Sequence, residues 1–192
     1  TALVGVKNML RTTYDAGVKS LEPTDENLKR FGLAITLGGG EVKLLELTSG
    51  YATFANKGEY VEPQAILKVE DRDGKVLEEA RDTKPKRVIS EDIAFVISHI
   101  LSDNNARSLV FGPNSLLNVS GKTVAVKTGT TDDKRDNWAV GFNKKYTIMV
   151  WVGNINQKAM KKVSWITGAG PIQADIAKVL AKNQMIPRMI SN

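Results

Sequence analysis

Apolar positions recur along this chain with a period that switches between helical and alternating spacing, and the switches mark its elements. Leu3, Val6, Leu10 and Tyr14 share one helical face, and Gly17 is suited to a left-handed stop after them. Thr24, followed by Asp25 and Glu26, reads as an N-cap with acids in the first turn, and predicts a short helix ending at Gly32. After the tight loop Gly38-Gly39-Gly40, helical spacing returns at Leu44, Leu47, Tyr51, Phe54 and Ala55, and Gly58 closes that segment. Tyr60-Val61, Ile66 to Val69 and Lys75 to Leu77 predict short strands, the last two joined by the turn Asp71-Arg72-Asp73-Gly74. Residues 80–87 are charged and predict an exposed connector. Ser90 caps a segment in which Ile93, Val96, Ile97, Ile100 and Leu101 form an apolar stripe, and a polar loop is expected from Asp103 to Ser120. Strands are predicted over 123–130, 137–142 and 146–153, and the short link Asn143-Lys144-Lys145 makes the last pair antiparallel. A final helix opens at Pro171 and puts Ile172, Ile176, Val179 and Leu180 on one face. Helices, then an antiparallel meander, then a covering helix predict an α+β fold.

Composition narrows the function classes. With 192 residues, 42% hydrophobic and 25% charged, the chain has the make-up of an ordinary globular domain. It has no Cys, which excludes disulfides and thiolate metal sites. The formal charge is +6, but the basic residues are scattered and no aromatics interleave with them, so no nucleic-acid partner is expected. His99 is the only histidine and lies off its helix's apolar stripe, so no metal site and no cofactor are expected. No run approaches the roughly 18 apolar residues that would span a bilayer, and Thr1-Ala2-Leu3-Val4-Gly5-Val6 has no basic leader, so the chain is expected to begin inside a longer protein, with any membrane anchor upstream.

The chemistry gathers at Lys127-Thr128-Gly129-Thr130-Thr131, which follows the β-branched run Thr123-Val124-Ala125-Val126. A cation at a strand end, beside hydroxyls and a glycine, suits a ligand that carries both a carboxylate and a carbonyl. Lys127 would attract the carboxylate. Alternation puts the Thr128 and Thr130 side chains on one side and Gly129 on the other, where a missing Cβ permits close approach. The Thr130 N–H is a candidate oxyanion donor, a role typically worth about 2.7–4 kcal/mol. Lys-Thr-Gly is one of three motifs of a serine acyl-transfer site.

Around that motif, Val124 to Thr131, Arg135-Asp136-Asn137-Trp138, Val140-Gly141-Phe142 and Val150-Trp151-Val152-Gly153-Asn154 resemble the transpeptidase domain of class A, bifunctional penicillin-binding proteins. Leu37-Gly38-Gly39, Leu45-Glu46-Leu47, Tyr51 to Asn56, Phe111 to Ser115 and Thr167-Gly168-Ala169 extend the likeness over most of residues 1–180. The resemblance implies a penicillin-recognising fold, an antiparallel sheet flanked by helices. It implies D-Ala-D-Ala transpeptidation in peptidoglycan cross-linking at the outer face of the bacterial cytoplasmic membrane, with stem peptides and β-lactams as ligands. It gives Lys127 and Thr130 catalytic roles and makes Thr128, Gly129, Thr130 and Thr131 the substrate-binding strand. Two other readings share the motif: a non-catalytic penicillin-recognising sensor and a serine β-lactamase. The family also needs Ser-x-x-Lys and Ser-x-Asn, and no Ser in this chain is followed three residues later by Lys. Residues 1–192 are therefore expected to be the C-terminal portion of the domain, inactive alone, with the upstream part of the same protein as partner. Ser102-Asp103-Asn104 imitates Ser-x-Asn but stands too close to Lys127, and reads as a helix end. Ser120-Gly121-Lys122-Thr123 imitates a phosphate loop, but Leu116 stands where that loop needs Gly. Trp138, Trp151 and Trp165 are expected in the sheet and core, Trp165 alternatively at a groove rim.

Overall fold

The computed structural model describes residues 2–118, 123–164 and 166–182, so the expectations for Ser120 to Lys122 and for Trp165 lie outside the described residues. Helix α1 (Val6–Asp15) stops where Gly17 turns left-handed, at φ 99°. Leu3 does not join its face: it lies in a turn before the helix and is exposed. Helix α2 (Asp25–Phe31) starts at Thr24, whose hydroxyl accepts the Asn27 N–H at 3.2 Å. A 3-10 segment (Gly32–Leu37) leads to the glycine loop and then to α3 (Leu44–Ala55). Leu10, Val18, Leu21, Phe31 and Ile35 form one small core among these helices. Glu46 ties α3 to it, accepting from the Ser20 N–H at 2.7 Å and hydroxyl at 2.6 Å. Burial works to raise the Glu46 carboxyl, but these bonds and Lys43 outweigh it and hold it below its ordinary value.

Strand β1 (Glu59–Tyr60) starts one residue earlier than expected, and β2 (Lys68–Glu70) and β3 (Val76–Glu79) form the anticipated hairpin. The charged connector is not all loop: β4 (Lys86–Arg87) pairs antiparallel with β1, and the Arg87 guanidinium bonds Glu59 Oε1 at 2.7 Å.

Helix α4 (Glu91–Ser102) is capped by the Ser90 hydroxyl. Its inner side is not the whole apolar stripe. Ala94 is buried and Leu101 packs inward, while Ile93, Val96 and Ile100 are 54%, 51% and 60% exposed. The expected loop after it contains a helix, α5 (Asn104–Phe111). Asp103 ends α4 and also opens α5, its carboxylate accepting from Asn105 N and Ala106 N at 2.9 and 3.1 Å. Leu109 and Val110 of α5 are exposed, so that segment carries no buried stripe for periodicity to detect.

Strands β5 (Ala125–Thr130), β6 (Asp136–Phe142) and β7 (Thr147–Gly153) form an antiparallel sheet in that order, as the spacing predicts. One face carries Ala125, Val140 and Phe142 against Tyr51 and Phe54 of α3 and Leu101 of α4. The other face is covered by α6 (Ala169–Lys182). This helix opens two residues before Pro171 and buries Ala169, Gln173, Ala174 and Ala177. The predicted apolar face is mostly turned outward, with Ile172, Ile176 and Val179 exposed. The reason lies in the sheet. The β6 positions beneath α6 are Asn137, Ala139 and Gly141, and at Gly141 a Cβ would stand 1.9 Å from Gln173 Nε2, so only the helix's narrow face can come this close.

Candidate active-site strand

Strand β5 is the edge of its sheet, paired on one side only among the described residues. Its register sets Lys127 opposite Val140, Thr128 opposite Ala139, Gly129 opposite Trp138 and Thr130 opposite Asn137. Lys127 and Gly129 therefore lie on the face toward α3 and α4, and Thr128 and Thr130 on the face toward α6. Lys127 is mid-strand rather than at the strand end, and its Nζ donates to the Thr128 carbonyl. A Cβ on Gly129 would meet nothing closer than 3.7 Å, so the open space there is not filled by the chain itself.

Hydrogen-bond alternation decides which backbone groups are free. The Thr131 N–H donates to the Asp136 carbonyl at 3.0 Å, which makes 131 and 136 a hydrogen-bonded pair. The next pair, Thr130 and Asn137, is then non-hydrogen-bonded, and the N–H and C=O of Thr130 point away from β6 to the open edge. Thr128 follows the same parity, consistent with its carbonyl being available to Lys127.

The turn beyond the strand is held by two residues. Thr131 Oγ1 accepts the Asp136 N–H at 2.9 Å and donates to Asp136 Oδ2 at 3.1 Å. Asp136 Oδ1 in turn accepts the Trp151 indole N–H at 2.8 Å. Trp138 and Trp151 stand opposite each other, half-buried, with ring centroids 6.4 Å apart. The Thr131 hydroxyl is thus occupied by the turn, whereas Thr130 is exposed.

Asn137 has no role in the sequence reading, yet it is the most enclosed polar group near the strand, 0% exposed. Its Nδ2 donates to Thr130 Oγ1 at 3.0 Å, and its Oδ1 accepts the Ala169 N–H at 2.7 Å, satisfying one of the donors that open α6. An amide followed by the apolar run Trp138 to Phe142 is the signal that was available. The imitation motif at Ser102-Asp103-Asn104 has a structural assignment: Asp103 caps α5, and Asn104 Nδ2 bonds the Pro113 carbonyl at 3.1 Å.

Comparison with known proteins identifies the family and the fold. Residues 12–181 match the family described as Penicillin binding protein transpeptidase domain. Penicillin-binding protein 1A of Aquifex aeolicus is 35% identical over 162 residues, covering 82% of this chain and 21% of that protein. Penicillin-binding protein 1A of Neisseria meningitidis is 30% identical over 201 residues, covering 95% of this chain and 24% of that protein. The D,D-transpeptidase domain of a peptidoglycan glycosyltransferase from Eggerthella lenta superposes with a TM-score of 0.70 at 17% identity, over 96% of this chain and 50% of that one. The chain thus spans about a fifth to a quarter of the length of these two relatives. The match over residues 12–181, borne by an α+β fold with an antiparallel sheet, places this chain in the penicillin-binding protein transpeptidase domain family.

Proposed function

We propose that this chain forms one wall of a serine acyl-transfer site that cross-links peptidoglycan outside the bacterial cytoplasmic membrane and is acylated by β-lactams. The observation that carries the reading is the outward-facing N–H of Thr130 on an edge strand that also bears Lys127. In the proposed reaction a serine from another segment attacks the penultimate D-Ala carbonyl, the terminal D-Ala leaves, and an amine of a second strand then displaces the serine. The Thr130 N–H stabilises the oxyanion. Lys127, Thr128 and Thr130 hold the carboxylate, Gly129 leaves the approach open, and Thr131 fixes the turn beside them.

The nucleophile and its lysine belong to an upstream part of the same domain, which also covers the exposed apolar faces of α4 and α6. The 50% coverage of the Eggerthella lenta domain supports that division. No helix among the described residues is long and apolar enough to cross a membrane, and the proposed anchor lies upstream too.

Labelling with a fluorescent penicillin tests the reading. The full reading frame containing these residues becomes covalently labelled, and residues 1–192 alone do not. An unlabelled full-length protein would sink the enzymatic reading, and labelling of residues 1–192 alone would sink the claim that the serine lies elsewhere.

A further inference from the structure

The orientation of the Asn137 amide is fixed by its neighbours. The Ala169 backbone N–H can only donate, so the Asn137 atom 2.7 Å from it is the oxygen. The NH₂ group is then the one facing Thr130 Oγ1 at 3.0 Å, and Thr130 Oγ1 must accept. A hydroxyl has one hydrogen, and that hydrogen cannot lie along a bond the oxygen is accepting. Among the described residues Thr130 donates to no acceptor, and it is exposed at the end of the edge strand. Its O–H is therefore a donor without an acceptor, on the same residue whose backbone N–H also faces outward.

We propose that Asn137 is a positioning residue for ligand recognition: by donating to Thr130 Oγ1 it keeps the Thr130 hydroxyl hydrogen off the buried side and leaves it to be offered at the exposed edge of β5, and so favours ligands that carry a carboxylate there. This rests on the transpeptidase reading above and assigns Asn137 a part in it. Asn137 touches no ligand and acts only through Thr130. Its enclosure suits the task, because a fully buried amide bonded at both ends cannot turn over to accept from Thr130 instead.

The diagnostic variant is Asn137→Asp in the full-length protein. The new carboxylate still accepts from Ala169, and its charge faces the opening turn of α6, where negative charge is favoured. It cannot donate, so Thr130 turns its hydrogen inward to the new acceptor and away from the exposed edge of β5. A hydrogen bond to a charged group of this kind corresponds to roughly ten- to a hundredfold in rate. The acylation rate with a penicillin should fall by that factor, as it should in Thr130→Ala. The double variant should be no slower than either single one, because the same hydrogen bond is lost in each. The methyl ester of the same penicillin, which lacks the carboxylate charge, should be slowed about threefold or less in every variant.

If the buried charge prevents folding, as judged by thermal melting, Asn137→Ala serves in its place. It frees the Thr130 hydroxyl to rotate and lowers the penicillin rate by about three- to tenfold with little effect on the ester. Wild-type rates in a folded variant, multiplicative losses in the double variant, or equal slowing of acid and ester would overturn the role of Asn137 while leaving the transpeptidase reading intact. A wild-type protein that no penicillin acylates would remove both.

Discussion

Replacing Gly168 by Ala should damage this protein well beyond the usual effect of such a change. A Cβ at Gly168 would stand 2.1 Å from Asn137 Oδ1, 2.8 Å from its Cγ and 3.0 Å from the Ser164 carbonyl oxygen. The first two atoms cannot retreat. Asn137 is 0% exposed, and its amide is bonded to Ala169 on one side and Thr130 on the other. Room for the methyl group requires the amide to swing away, which breaks both bonds and leaves a buried amide without partners. Two hydrogen bonds at about 1 kcal/mol each and an orphaned amide at about 1–3 kcal/mol give a loss of about 3–5 kcal/mol. That is a large share of the roughly 5–15 kcal/mol that holds a typical domain folded. At about 2–4 °C per kcal/mol for a chain of this size, the melting temperature should fall by about 6–20 °C.

Urea unfolding, fitted for midpoint and slope, measures the effect. Gly74→Ala is the control for conformation alone: Gly74 has φ +82° but nothing within 4 Å of a new Cβ, so its cost is only the left-handed backbone, about 1–2 kcal/mol. Asn137→Ala should remove the two atoms nearest the new methyl group, Asn137 Oδ1 and Cγ. The contact with the Ser164 carbonyl remains, so the double variant should fall somewhat below Asn137→Ala but lose far less than the sum of the two single losses, a strong non-additivity between touching residues. A Gly168→Ala protein within 1 kcal/mol of wild type, or strictly additive losses, would refute the reasoning.

Two further outcomes follow from other polar groups, one buried and one partly buried. Gln173 is 0% exposed and among the described residues neither of its amide atoms has a hydrogen-bond partner, so Gln173→Met, which keeps an unbranched stem, should raise stability by about 1–3 kcal/mol in urea unfolding, and a fall would mean the amide is paired. Glu46→Gln should cost about 1 kcal/mol at neutral pH by weakening the bonds from Ser20. Because the folded Glu46 carboxyl sits below its ordinary value of 4.5, its contribution is fully present above that value and disappears as pH falls through the lowered one. Wild type and variant should thus converge in acid, and a constant gap down to the acid end would rule out this linkage.

Elements whose signals are local were legible in the sequence. The Thr24 and Ser90 caps, the turn at Asp71 to Gly74 and the three-strand meander depend on residues a few positions apart, and each stands where the spacing predicts. What the spacing did not reveal was which side of a helix meets the rest of the molecule. The stripe on α4 and the isoleucines of α6 are true helical patterns, but a pattern names no partner, and these faces are largely open here. Helix α5 was invisible because Asp103, read as a helix end, is also a helix start, and no apolar face follows it. Asn137 was missed for a related reason. Its meaning depends on a cross-strand register with Thr130 and on Ala169, 32 residues further on, and neither is a short-range property.

Strand register, more than the identity of the Lys-Thr-Gly residues, decides what this edge can present. In an antiparallel pair, successive residues turn their N–H groups alternately toward the partner and away. With 131 opposite 136, the N–H of Thr130 is outward and that of Gly129 is turned to β6. A slip of one residue would invert both and also exchange the faces on which Lys127 and Thr130 stand. The residues that prevent this slip are Thr131 and Asp136, joined through one backbone bond and two bonds of the Thr131 hydroxyl, with Trp151 fixing the Asp136 carboxylate from the next strand. Thr131 therefore bears on the chemistry proposed for Thr130 through the turn that it holds with Asp136. Asn137 then sets the remaining freedom, the direction of one hydroxyl hydrogen, once Thr131 and Asp136 have set the backbone.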